Sequence, residues 1–390
     1  MNSKHKKKIL ITFGRSFLTL DLARKWHAQG HEVFVADSIS SHVSRFSNTV
    51  SKCFTVPSPR FEPEAYLNAL VHIVEKEKID LLIPIYEEIT HLSKGVDRFP
   101  SFCKVFCPTF ALYEQLQNKW SFQELLQSLG IPTLKRALVR NKNDFKTHLL
   151  PMEYALKPCY SRASQKVLRI DAARPIPDIG SAIEPHNPWI AQEWAYGKKY
   201  CTYSICHEGA IYAHGTYPVN YAIDGNSCIS FEVVHHQKIL DWIALFVKKI
   251  GFSGQIAFDF IESVDGILYA IECNPRATSG LLLFDEMDGL DQAFLKQNEK
   301  PIFPKNGTSR QVATGMLLYG WRKSSRQGRS LGDFFKTFFC TKDVIFSVRD
   351  PKPFILEPIV FVNLYIQSRK LKISLPNCFT HDHDWNNCKE

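Results

Sequence analysis

Phe258-Asp259-Phe260 and Ile271-Glu272-Cys273-Asn274-Pro275-Arg276 flank the turn tripeptide Val264-Asp265-Gly266. Apolar runs on either side of a short turn predict a hairpin of strands over 255–261 and 267–272. Residues two apart in a strand face the same way, so Glu272 and Asn274 project from one face. Asp259 on the neighbouring strand is expected opposite them. Two carboxylates and an amide oxygen form an all-oxygen set suited to Mg2+, which keeps several waters and takes its remaining ligands from phosphates. Pro275 ends ladder pairing. Arg276 follows at once, a planar and permanently charged fork for a phosphate or carboxylate. Two half-exposed acids on an ordinary hairpin are the plainer alternative, but they leave the apolar lead-in to Glu272-Cys273-Asn274-Pro275-Arg276 unexplained.

Upstream lies a series of cations. Lys119 opens a predicted helix over 118–129, and Lys157 ends a predicted strand over 153–157 before Pro158. The polar loop Ser161-Arg162-Ala163-Ser164-Gln165-Lys166 follows. Each alone reads as a surface residue; in series before a metal-binding hairpin they suit the phosphates of a nucleotide. The strand 189–193 runs out at Gln192-Glu193-Trp194-Ala195-Tyr196-Gly197, where backbone N–H and C=O groups can meet an adenine edge.

The first hundred residues alternate strand and helix: strands over 8–13, 32–36 and 81–85, helices over 18–27 and 66–76. That order predicts a parallel, doubly wound sheet, with ligands past the carboxyl ends of its strands. Those ends carry Arg15, Asp37, Glu87 and Glu88; of these, Arg15, Glu87 and Glu88 are read either as substrate contacts or as solvated turn residues. The turn after the first strand holds one glycine, so the dinucleotide fingerprint Gly-x-Gly-x-x-Gly is absent. Gly130-Ile131-Pro132-Thr133 marks a boundary. Beyond it the texture is α+β and mostly antiparallel, with a strongly periodic helix over 239–250. Tyr217, Asn220, Tyr221 and Asn226 are assigned to a polar loop between sheet and helix. Helices are also expected over 331–339 and 358–368. In His381-Asp382-His383-Asp384-Trp385, four successive polar residues cannot all face one ion, so the run is read as a docked turn.

This order of features resembles the ATP-grasp superfamily, and within it the carbamoyl-phosphate-synthase-like single-chain branch. The resemblance covers roughly residues 8–284. It implies a pre-ATP-grasp parallel α/β domain over 1–115, a two-lobed ATP-grasp domain over 116–304 and a basic extension over 305–390. By that resemblance Lys119 and Lys157 hold ATP phosphates, with Ser161, Arg162 and Ser164 in a flap over them. Gln192, Glu193, Trp194 and Ala195 bind adenine, Glu193 orienting its amino group. Asp259, Glu272 and Asn274 hold one or two Mg2+ (or Mn2+), and Arg276 steadies the transferred phosphoryl group, with Lys157 and Asn274 beside it in the catalytic set. Two departures stand out: the flap lacks the family's glycines, and Tyr200 stands where a ribose-binding Glu is usual. The implied activity is ATP-dependent joining of a small-molecule carboxylate to an amine through an acyl phosphate. Alternatives are biotin-carboxylase-like activation of bicarbonate and a non-catalytic nucleotide-binding scaffold or sensor.

Composition bounds the rest. The chain has 390 residues, 45% hydrophobic and 22% charged, with a formal net charge of +9. This is globular composition, and no apolar run approaches the ~20 residues of a membrane span. Eleven cysteines without a Cys-x-x-Cys pair argue against a disulfide framework or structural zinc. Residues 305–390 hold 14 Lys plus Arg against 7 Asp plus Glu. No cluster reaches polybasic density, so the expectation is a cytoplasmic protein that binds neither nucleic acid nor membrane, with a homodimer as an open option.

Overall fold

The computed structural model describes residues 6–141, 144, 150–161, 167–171, 183–184, 186–223 and 227–385. The first strands are β1 (Lys8–Ile11), β2 (Glu32–Asp37), β3 (Lys52–Thr55), β4 (Leu81–Ile83) and β5 (Lys104–Val105). They form a wholly parallel sheet in the order β3-β2-β1-β4-β5. Their apolar runs are buried on both faces by α1 (Phe17–Ala28), α2 (Pro63–Glu77) and α3 (Ile89–Lys94). Ser16 caps α1, its side chain accepting from the Leu18 N–H.

Helices α4 (Phe110–Gln117) and α5 (Lys119–Ser128) lead into the central region. Asn118 separates them and caps α5 by accepting from the N–H groups of Trp120 and Ser121. One antiparallel sheet comprises β6 (Arg136–Val139), β7 (Tyr154–Pro158), β8 (Leu168–Ile170) and β9 (Trp189–Glu193), in the order β6-β9-β7-β8. A second is built from β10 (Lys198–His207), β11 (Ala210–Pro218), β14 (Gly254–Glu262) and β15 (Leu268–Asn274), in the order β11-β10-β14-β15. Between its halves run β12 (Tyr221–Ile223), β13 (Ser227–Glu232) and α6 (Gln237–Ile250). The back of this sheet packs on α5 and α6 through Phe122, Phe246, Phe258 and Phe260. Further on, α7 (Leu290–Leu295), β16 (Ser309–Gln311), α8 (Ala313–Gly315), α9 (Leu331–Cys340), β17 (Lys342–Asp343), α10 (Lys352–Leu371) and α11 (Leu375–Thr380) complete the chain. A fourth sheet has the order β12-β13-β16-β17.

Two expectations are corrected, and one open alternative is closed. Tyr217 lies in β11 and Tyr221 in β12, both buried, because the intervening polar residues hide a strand pair rather than form one loop; Asn226 lies outside the described residues. The last long helix begins at Lys352, not at Pro358, which sits inside it; Pro353 already supplies the helix-start proline. Arg15 is no solvated turn residue: it is 2% exposed, paired with Asp37 and Asp382. The segment 381–385 is a docked turn across the strand ends. Asp382 accepts from Arg15 at 2.8 Å, and the Trp385 N–H donates to Glu87 at 2.8 Å. Among the described residues no three His, Cys, Asp or Glu side chains come together to hold a metal ion, and none of their cysteines is bridged.

The C-terminal region is clamped to the first sheet by a second buried pair. Arg24 donates to Asp350 at 3.0 Å, and Asp350 also accepts from Ser47 at 2.6 Å and from the Asn48 N–H at 2.9 Å. Asp350→Ala strands a buried guanidinium and is expected to cost about 3–5 kcal/mol. Replacing both partners with apolar residues should cost markedly less, a difference that denaturant titration of the variants measures.

Candidate active site

The two antiparallel sheets face each other across a cleft of ≈ 1160 Å³, counted with its open mouth. One wall comes from β7 and β9, the other from β10, β14 and β15. At its floor the hairpin register sets Asp259 directly opposite Glu272, and Asn274 opposite Ala257. The register shifts between Asp259 and Phe260, so the ladder is irregular where the two acids meet. Asp259 is held up at about 6, first by burial and then by the like charge of Glu272.

Cations answer from the other side. Lys119, the first residue of α5, is 3% exposed; its Nζ donates to the Ser161 carbonyl at 2.8 Å and lies 3.5 Å from Glu272 Oε1. Lys157 Nζ reaches the Ile271 carbonyl at 3.4 Å. Burial and the neighbouring Lys119 bring the Lys157 ammonium down to about 8. Asp259 is pushed up and Lys157 pushed down by the same desolvation, which a ligand carrying both signs of charge would relieve.

The strand end 192–197 lines the cleft, as expected. Gln192 is buried and its Nε2 has no hydrogen-bond partner, so an acceptor on a ligand fits there. Glu193 is tied to Lys135 in both directions: its N–H donates to the Lys135 carbonyl at 2.8 Å, and its carboxylate accepts from the Lys135 N–H at 3.2 Å. The Trp194 N–H donates to the Glu153 carbonyl, leaving that donor engaged within the sheet. Tyr200 lines the cleft, with its ring edge-on to His236 at 4.9 Å. His236 itself caps α6 and contacts Glu262 at 3.2 Å, a structural placement.

Not every expected residue lines the cleft. The Asn274 amide oxygen accepts from Arg276 at 3.1 Å, and the Arg276 guanidinium stacks on Tyr86 at 4.8 Å. Both sit beyond the cleft floor, toward the strand ends of the parallel sheet. Arg162 and Ser164 lie outside the described residues. The apolar lining from Leu134, Ala155, Val219, Ile261 and Ile271, with Lys199, went unread. The only cue to it is strand alternation, which marks a face as inward without saying what it faces. Cys201 also lines the cleft, directly opposite Asp259 on the neighbouring strand.

No family model matches the chain. It is 21% identical over 279 residues to the arginine-specific carbamoyl phosphate synthase large chain of Geobacillus stearothermophilus, covering 67% of this chain and 26% of that protein. The chain thus spans about a quarter of the curated relative it matches. Among solved structures it is similar to N5-carboxyaminoimidazole synthetase of Staphylococcus aureus (TM-score 0.61, 15% identity, 84% of this chain and 91% of that). It is also similar to L-amino acid ligase of Bacillus licheniformis (TM-score 0.59, 15% identity, 76% and 77%). A third is the biotin carboxylase domain of Hydrogenobacter thermophilus 2-oxoglutarate carboxylase, solved with MgADP and bicarbonate (TM-score 0.58, 14% identity, 76% and 70%). The fold is the one these solved structures share.

Asp259 protonates more readily folded (about 6) than at its reference value of 3.8, so the folded chain holds this proton to higher pH than the unfolded one. Stability of the metal-free protein therefore falls as pH rises through that interval, by up to about 3 kcal/mol. Asp259→Asn is expected to raise the melting temperature of metal-free protein at neutral pH, with the gap closing below about pH 4. Mg2+ should stabilise the unaltered chain and not the variant.

Proposed function

We propose that the chain is an ATP- and Mg2+-dependent ligase joining a small-molecule carboxylate to an amine. The observation that carries this reading is the Asp259–Glu272 pair, set across adjacent strands and faced by Lys119 and Lys157 in a cleft between two antiparallel sheets. In this reading residues 1–115 form the pre-ATP-grasp domain, 116–304 the two ATP-grasp lobes and 305–390 an extension, and the protein works in the cytoplasm.

Asp259 and Glu272 would hold Mg2+, which would supply charge neutralisation on phosphate oxygens, while the Asn274 amide oxygen is engaged by Arg276. Lys119, Lys157 and Ser161, with Arg162 and Ser164 of the flap, hold the phosphates; Gln192, Glu193, Trp194 and Ala195 hold adenine; Tyr200 replaces a carboxylate at the ribose. The donor set supports this assignment: two anionic oxygens for the metal, two buried ammonium groups for phosphate and one orphaned amide N–H2 for a base edge. A carboxylate oxygen of the first substrate attacks the γ-phosphorus and ADP leaves, giving an acyl phosphate. The amine nitrogen then attacks the acyl carbon, phosphate departs and a proton is released. Arg276, braced by Asn274 and Tyr86, is the fixed cation for charge developing on the transferred group.

An ADP-release screen across carboxylate and amine mixtures with Mg2+ tests the reading. Turnover is expected with at least one pair, and Asp259→Ala and Glu272→Ala should each lower it by about 100-fold or more. Turnover surviving both substitutions would sink the metal assignment. ADP release supported by bicarbonate without an amine would shift the chemistry to carboxylation.

A further inference from the structure

Helix α10 has two apolar faces. Pro353, Val360 and Leu364 are buried against the body. On the opposite side Ile355, Ile359, Val362 and Ile366 follow the four-three-four spacing of a packing stripe, and all are exposed, Ile355 by 65%. Helix α9 repeats the pattern: Phe334 is buried, while Leu331, Phe335 and Phe339, four residues apart, stand outside, Phe339 by 77%. The helical turn that precedes α9 exposes Leu317, Leu318 and Trp321. These elements are neighbours. Tyr319 and Phe338 pack on one small core with Phe334, and Leu318, Val360 and Phe361 line one groove. More than half of the large apolar side chains exposed among the described residues fall after residue 316.

The charge of this region is more one-sided on its surface than in its composition. Asp350 and Asp382 are consumed by Arg24 and Arg15, Asp384 is buried, and Glu357 is hydrogen-bonded to Thr314. Asp343 accepts from the N–H groups of Ala313, Ile345 and Phe346, and Asp333 is spent in the capping box of α9. Meanwhile Arg322, Lys323, Arg329, Lys336, Arg369 and Lys370 are exposed.

We propose that α9, the 317–321 turn and α10 form a docking face for an anionic lipid bilayer, with the helices lying in the interface. Exposed Phe, Ile, Leu and Trp side chains enter the boundary between headgroups and acyl chains, and the flanking Lys and Arg meet anionic headgroups. No helix among the described residues is long and apolar enough to cross a membrane, which fits seating on the surface. Charge decides between a bilayer and a second copy of the chain: a two-fold contact would set these cations against themselves, whereas anionic headgroups neutralise them. This runs against the expectation from the sequence that no membrane is bound, and it is independent of the chemistry proposed for the cleft.

Sedimentation of the full chain with phosphatidylcholine vesicles, with and without about a third phosphatidylserine, tests it. Binding is expected only to the phosphatidylserine vesicles, and to weaken steeply with added salt. Ile355→Asp with Ile359→Asp, and separately Arg369→Glu with Lys370→Glu, should each lower partitioning by about tenfold or more while circular dichroism and melting stay unchanged. If the apolar variants fail to fold, the charge variants carry the test alone. No binding to anionic vesicles, or equal binding to neutral ones, would overturn the proposal. So would a dimer mass by light scattering in lipid-free buffer that the substitutions convert to monomer.

Discussion

Asp259 and Glu272 confront each other across two adjacent strands, and neither can be moved without breaking the β14–β15 register. Two carboxylates so placed repel, and burial adds to the cost of ionising the inner one. The opposing cations come from elements far apart in sequence: Lys119 from the start of α5 and Lys157 from the end of β7. Lys157 is lowered first by burial and next by the like charge of Lys119. Each pair of like charges is thus tolerable only because the other pair stands across the cleft. The cleft exists only if both sheets close on it, so the charge arrangement and the two-sheet architecture require one another.

The scaffold fixes these positions through a few polar ties in otherwise apolar cores. Asn118 ends one helix and caps the next, which sets where Lys119 enters. Gln123, one turn further on, donates to the Ala270 carbonyl at 2.7 Å and pins α5 to the strand carrying Glu272. Gln255 accepts from Tyr203 at 2.7 Å and donates to the Pro84 carbonyl at 2.9 Å, joining the sheet that carries Asp259 and Glu272 to the strand ends of the parallel sheet. At Gly280 a Cβ would come within 2.5 Å of the Tyr203 Cβ, so the chain beyond Arg276 can pass this strand only without a side chain.

What could be read in advance follows from the range of the interactions. Period-two alternation and the turn at 264–266 are local, and they placed Asp259 against Glu272 correctly. Strand–helix alternation up to residue 85 was equally local and led to the parallel sheet. Arg15 was ambiguous for the opposite reason: its partner Asp382 lies 367 positions away, and nothing near either residue announces the other. The β12 and β13 strands were missed because three and six residues leave too little periodicity to outweigh nearby Asn, Asp and Gly. Asn274 was legible as an oxygen donor on the correct strand. Its engagement by Arg276 was not, because that bond depends on how the chain bends after Pro275.

The same distinction between local pattern and long-range pairing changes the meaning of the C-terminal charge. Counted along the chain, residues 305–390 hold half as many acids as bases. In the fold, Asp350 and Asp382 leave that balance, because each is buried against an arginine of the first domain. The clamps that hold the region in place therefore also strip its surface of negative charge. A helix with one apolar face turned to the body and another turned outward would be a liability in an isolated protein. Beside exposed cations and few exposed acids, the outward face has a chemically specific complement, one in which apolar and anionic groups occur together.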